Sequence, residues 1–256
     1  MLIKTRNSFI IVLSFVLLLS SCNNLQDQDK SLTPEEYRNL GMPDPSKVWT
    51  LKDYEDAYNT LDLIKLMNPL SLPKKDSKIS SPFFRRMIDT DNLSFIYDES
   101  QTLNERAYRI QEYINVQGSL INVYTDLENT SQYYNRELID LYIFGLNISQ
   151  YMLDLGNRIN ESIDEENIKM QDRFNSIKNL YITMVLFILD NQKKSFLFEE
   201  RDLIKLTDFI SNSLFSNQEW LEPNTVEDIK QRVQIVIENS KSEQIKNKYN
   251  MLVEEL

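Results

Sequence analysis

The chain has 256 residues, 39 of them acids against 28 bases, for a formal net charge of −11. That length buries one sizeable core or two small ones, and the acidic surface excludes nucleic acid as a partner by repelling phosphate. Histidine is absent, cysteine occurs once and glycine four times, which excludes histidine-dependent triads, zinc sites of His or Cys, the histidine-containing di-iron motif and glycine-rich phosphate loops. No metal and no cofactor is expected.

Lys4 and Arg6 precede an apolar run from Phe9 to Leu19, broken only by Ser14. This is the pattern of a cleaved secretory signal, and it is too short to span a bilayer, which takes about 20 apolar residues. The run ends in Leu19-Ser20-Ser21-Cys22. Small residues directly before the single cysteine resemble the lipobox of bacterial lipoproteins. The resemblance covers residues 1–22 and implies that residues 1–21 are removed and that the Cys22 thiol takes a diacylglycerol. A thioether also disposes of a lone thiol in an oxidising compartment. Two or three acyl chains, palmitate-like in length, contribute about 0.8 kcal/mol per buried methylene and hold the protein on a membrane without a span. The expected address is the cell envelope, at the outer membrane, on its periplasmic face or at the cell surface. The mature chain keeps 28 − 2 = 26 bases against 39 acids, a net charge of −13.

Residues 22–48 are polar and carry Pro34, Pro43 and Pro45. They read as a lipidated flexible tether, with one short helical turn after Thr33-Pro34-Glu35-Glu36. Asp27 and Asp29 match the acids that follow the cysteine in some surface-exported lipoproteins, and equally those of any polar tether. The folded region is expected over 49–256, with 49–98 packing on a bundle formed by 99–256. Thr50 and Asp53 form an N-terminal capping signal for a helix whose stripe is Leu51, Tyr54, Tyr58, Leu61 and Ile64. A loop over 68–81 follows, then a short helix opened by Ser81-Pro82 with Phe83, Phe84, Met87 and Ile88 facing inward. Leu93–Tyr97 is the best strand candidate in a chain nearly devoid of strand signals.

From Ser100 onward the pattern is helical. Leu103, Ala107, Ile110, Ile114, Ile121 and Tyr124 form one seam, and Leu138, Leu141, Ile148, Met152 and Leu155 a second. Gly118 and Gly145 fall inside these helices and read as close crossings, since each costs about 1 kcal/mol relative to alanine. Nine of the ten residues 180–189 are apolar; a helix apolar all round is enclosed, which places Leu186 and Phe187 at the centre of the bundle. Leu203, Leu206, Phe209, Ile210 and Leu214 mark the next helix. After Glu222-Pro223, Val226, Ile229, Val233, Val236 and Ile237 mark another, with a capping signal from Thr225 to Asp228, and a last helix spans about 243–254. The fold class is all-α, an irregular multi-helix bundle with about five main helices around the apolar segment 180–189.

The constellations that resemble chemistry are few. Asp89-Thr90-Asp91 opens like a calcium loop, but Leu93, Ser94 and Ser100 stand where the loop needs a ligand, a glycine and a glutamate. Glu161-Ser162 resembles the catalytic Glu-Ser of lysozyme-like lytic transglycosylases, without that family's flanking pattern. With Asp164, Glu165 and Glu166 it reads as an exposed interhelical turn. Glu199, Glu200 and Asp202 read as first-turn acids of the following helix. Tyr133, Tyr134, Tyr142 and Tyr151 would fill the core with hydroxyls at its edge, or line a sugar or peptide groove. Trp49 and Trp220 sit at helix boundaries. Apart from the lipidation site Cys22, no catalytic, cofactor or metal residue is assigned. The expected function is a lipid-anchored envelope protein that binds or scaffolds, its partners being the membrane and an envelope protein or glycan. The rival expectation is a carboxylate-dependent enzyme cleaving cell-wall glycan, which needs one shielded Asp or Glu in a cleft beside Tyr or Trp.

Overall fold

The structure, a computed structural model, describes residues 31–125, 133–161, 167–192 and 198–256. The fold is an all-α bundle. Among the described residues it contains α1 (Pro34–Asn39), α2 (Leu51–Met67), α3 (Ser81–Met87), α4 (Leu103–Thr125), α5 (Asn135–Glu161), α6 (Asn167–Gln192), α7 (Glu200–Ser216), α8 (Pro223–Asn239) and α9 (Glu243–Glu255). The lipidation site Cys22 and the signal lie outside the described residues. Among those described, no helix is long and apolar enough to cross a membrane.

Among the described residues, three helices start with reciprocal caps. Thr33 with Glu36 and Thr50 with Asp53 each satisfy two otherwise orphaned backbone N–H groups. The same exchange joins Thr102 and Glu105 ahead of α4. Helix α8 departs from the expected start: it begins at Pro223, because proline's fixed φ suits the first helical position, and Thr225 lies inside it. Likewise Ser81 is the first residue of α3 rather than its cap.

Residues 33–48 do not hang free as a tether: the segment is mostly exposed but docks on the domain through two buried side chains. Tyr37 and Met42 are buried, Tyr37 packs on Phe83 with ring centroids 4.9 Å apart, and its hydroxyl donates to the Ser71 carbonyl at 2.6 Å. The chain turns after α1 at Gly41, whose φ of +107° favours glycine. Proline content and polarity concealed a segment that needs only two large apolar side chains to dock. Trp49 is buried as well, its indole N–H donating to the Asp44 carbonyl.

The centre of the bundle also moves. Helix α5 packs against α4, α6 and α7 and buries Leu138, Ile139, Leu141, Tyr142, Phe144, Leu146, Ile148, Met152, Leu153 and Leu155. The segment 180–189 of α6 buries Tyr181, Val185, Ile188 and Leu189, while Phe187 is 37% exposed and Thr183 is open to solvent. Apolar composition all round does not enclose a helix that has only two main neighbours. Gly145 is a close crossing, where an added Cβ would meet Met184 Cε at 3.3 Å; Gly118 is not, with nothing within 4 Å. The strand candidate 93–97 belongs to a 3₁₀ helix, Thr90–Tyr97, in which Leu93 and Ile96 face inward three residues apart.

Candidate functional site

Most buried polar groups serve the fold. Three tyrosine hydroxyls from three helices or their flanks, those of Tyr37, Tyr124 and Tyr134, donate to the carbonyls of Ser71, Pro73 and Pro69. Tyr54 and Tyr113 do the same for Met87 and Trp49. The tyrosine excess therefore satisfies backbone carbonyls in the irregular first third of the chain, where no helix can. Of the anticipated strip, Tyr134 and Tyr142 are buried, Tyr151 is partly buried and packs edge-on against Tyr97, and Tyr133 is exposed beneath the Lys74 ammonium. None of the four lines any of the three grooves that border α4.

Two carboxylates are buried among the described residues, and the first is Glu137, 4% exposed in the first turn of α5. Its Oε1 accepts the backbone N–H of Lys75 at 2.8 Å, and Lys75 Nζ bridges to Asp140 at 2.7 Å. Burial raises the Glu137 carboxyl above its ordinary value, against the opposing pull of the Lys75 N–H. Because the folded pKa exceeds the unfolded one, the contribution to stability is fully present below the unfolded pKa and is lost as pH rises through the folded pKa. Glu137→Gln keeps an acceptor for Lys75 N–H and removes this loss. Its stability should match the parent near about pH 4 and exceed it increasingly toward neutrality, as read by urea melts across that range. A constant difference would show that Glu137 does not carry the effect.

Asp202, also buried, faces Arg136 at 3.6 Å and Arg201 at 3.7 Å. It stabilises the first turn of α7, as expected of an acid there. Asp89 accepts from Asp91 N and pairs with Arg86 at 3.0 Å, an arrangement that ends one helix and starts the next. Among the described residues no group of three or more potential ligands is placed to hold a metal. Asp164, Glu165 and Glu166 lie outside the described residues, as does the side chain of Glu161.

Three grooves border α4. Gln101, just ahead of the helix, and Asn104, Glu105, Tyr108 and Arg109 on its first two turns line one of about 400 Å³. A second groove of about 330 Å³ runs between α4 and α6, from Gly118 to Phe187. A third of about 280 Å³ joins Tyr58 and Asn59 of α2 to Asn115 and Ser119 of α4. The first brings together a carboxylate, a guanidinium and an exposed ring. Tyr108 is 56% exposed. Arg109 stacks on Phe95, 4.6 Å from guanidinium carbon to ring centroid, and its Nη1 donates to Gln101 Oε1 at 3.0 Å. Gln101 is held in turn by Asp98 Oδ2 at 2.8 Å. Glu105 is fully exposed and accepts from Thr102 N–H and hydroxyl, bonds that hold its carboxyl below the ordinary value.

Comparison with protein families, with characterised proteins and with solved structures finds no match. The site therefore rests on its own geometry. None of its lining residues was singled out from the sequence, yet the signal was there: positions 101, 104, 105, 108 and 109 share one face at helical spacing, opposite the Ala107 and Ile110 seam, with one aromatic among polar groups.

Proposed function

We propose that this chain is a lipid-anchored protein of the cell envelope, held at the outer membrane through Cys22, whose helical domain binds a ligand or partner rather than cleaving one. The observation that carries the preference for binding is the separation of buried carboxylates from the grooves. Glu137 is committed to the Lys75 backbone and Asp202 faces Arg136 and Arg201, and neither lines any of the three grooves. Glu105, which does line a groove, is exposed and held ionised. A glycan-cleaving acid needs the reverse, a carboxyl kept protonated where the substrate sits. An ionised, fixed carboxylate accepts hydrogen bonds, which suits recognition.

Anchoring is supported by the lipobox-like residues 19–22 and the single cysteine. In a bacterial host that processes lipoproteins, the full chain should partition into detergent and label with palmitate. Cys22→Ala should abolish both, because the thioether-linked diacylglycerol and any chain added to the new N-terminus both depend on Cys22. Equal partitioning of variant and parent would remove the anchored reading and leave a secreted or otherwise attached domain.

A further inference from the structure

We propose that the groove on the first two turns of α4 binds a saccharide, with a pyranose ring stacked on Tyr108 and its hydroxyls met by Asn104, Glu105 and Arg109. This deepens the binding reading and rests on it.

The volume, about 400 Å³, falls within the range of roughly 300–1,000 Å³ typical of small-molecule sites. The lining then selects the ligand class. Its one aromatic ring, Tyr108, is more than half exposed and makes no hydrogen bond or ring contact among the described residues. An exposed ring bordered by planar polar side chains matches a molecule with an apolar C–H face and a polar rim, which is a sugar. A peptide side chain would want an apolar recess, and the other four lining residues are polar or charged. A polyanion would meet Glu105 and a chain of net charge −11.

Arg109 strengthens the assignment. No carboxylate lies within ion-pair distance of it among the described residues, although acids outnumber bases in the chain. It is nonetheless fixed, by Phe95 beneath it and by the relay from Asp98 through Gln101. A guanidinium held still with donors unspent loses little freedom when it meets a ligand, and its fork geometry suits paired oxygens such as adjacent hydroxyls. Glu105, immobilised by Thr102, supplies the complementary acceptor on the same helical face.

The test uses the full chain in a detergent without a sugar headgroup, applied to an array of neutral and acidic oligosaccharides. The best glycan is then titrated by calorimetry against Tyr108→Ala, Tyr108→Trp and Arg109→Gln. Tyr108 is exposed, so its variants should fold and melt like the parent. The expected result is a retained glycan whose affinity falls about tenfold in Tyr108→Ala, is kept in Tyr108→Trp and falls in Arg109→Gln. Retention of no saccharide at millimolar concentration overturns the proposal, as does equal binding by Tyr108→Ala. Binding only of acidic glycans, lost in Arg109→Gln but untouched in Tyr108→Ala, overturns it too, because ion attraction would then suffice. Failure here would leave the Cys22 partitioning result intact, so a wrong ligand class is distinguishable from a wrong anchor.

Discussion

Leu146→Asp should abolish folding, whereas Phe187→Asp should give a folded chain of reduced stability. Leu146 has no exposed surface and lies mid-way along α5, the helix enclosed by α4, α6 and α7. An unpaired carboxylate there has neither water nor a cation to meet. The cost is several kcal/mol, set against a total stability of about 5–15 kcal/mol for a domain. Phe187 sits on α6 at the edge of the α4–α6 groove, 37% exposed, with one edge-to-face contact to Tyr142 at 6.1 Å. Its replacement forfeits that contact and the area it does bury, together about 2–3 kcal/mol, while the new charge reaches solvent. Circular dichroism and thermal melts of both variants decide the matter. Unfolding of Phe187→Asp together with survival of Leu146→Asp would return the centre of the bundle to the 180–189 segment.

The second large effect concerns the N-terminal segment. Tyr37→Ala should cost about 3–5 kcal/mol, the range for deleting a buried aromatic side chain, and a chain starting at residue 48 should lose at least as much. Tyr37 is fully buried, and its removal leaves a cavity beside Phe83 and takes away the hydrogen bond to the Ser71 carbonyl. Tyr37→Phe separates the two contributions: it keeps the packing and should lose only about 1 kcal/mol. Urea unfolding midpoints of the three variants measure this directly. Parent-like stability of the shortened chain would mean that residues 33–47 are the tether that their composition suggests.

Where the helices lie was legible in local chemistry. Caps such as Thr50 with Asp53, the seams of α4 and α5, and the stripe of α7 depend on residues three or four apart, so they are written in one dimension. The missing histidine and the single cysteine also constrain the available chemistry before any fold is considered. The candidate groove was half legible: its spacing is helical and local, but a polar face with one tyrosine is common. Only Phe95, docked under Arg109 from a different element, turns it into a fixed donor set.

What the tertiary structure alone decided is which apolar surface finds partners. Tyr37 is buried because Phe83 and the 69–73 loop come to it from more than thirty residues away. Phe187 stays partly exposed because, among the described residues, no helix covers its side of α6. Glu137 is spent on the Lys75 backbone, a pairing across 62 residues. Hydrophobicity is a property of a side chain, but burial is a property of its neighbours, and long-range neighbours are set by how helices pack rather than by where they begin.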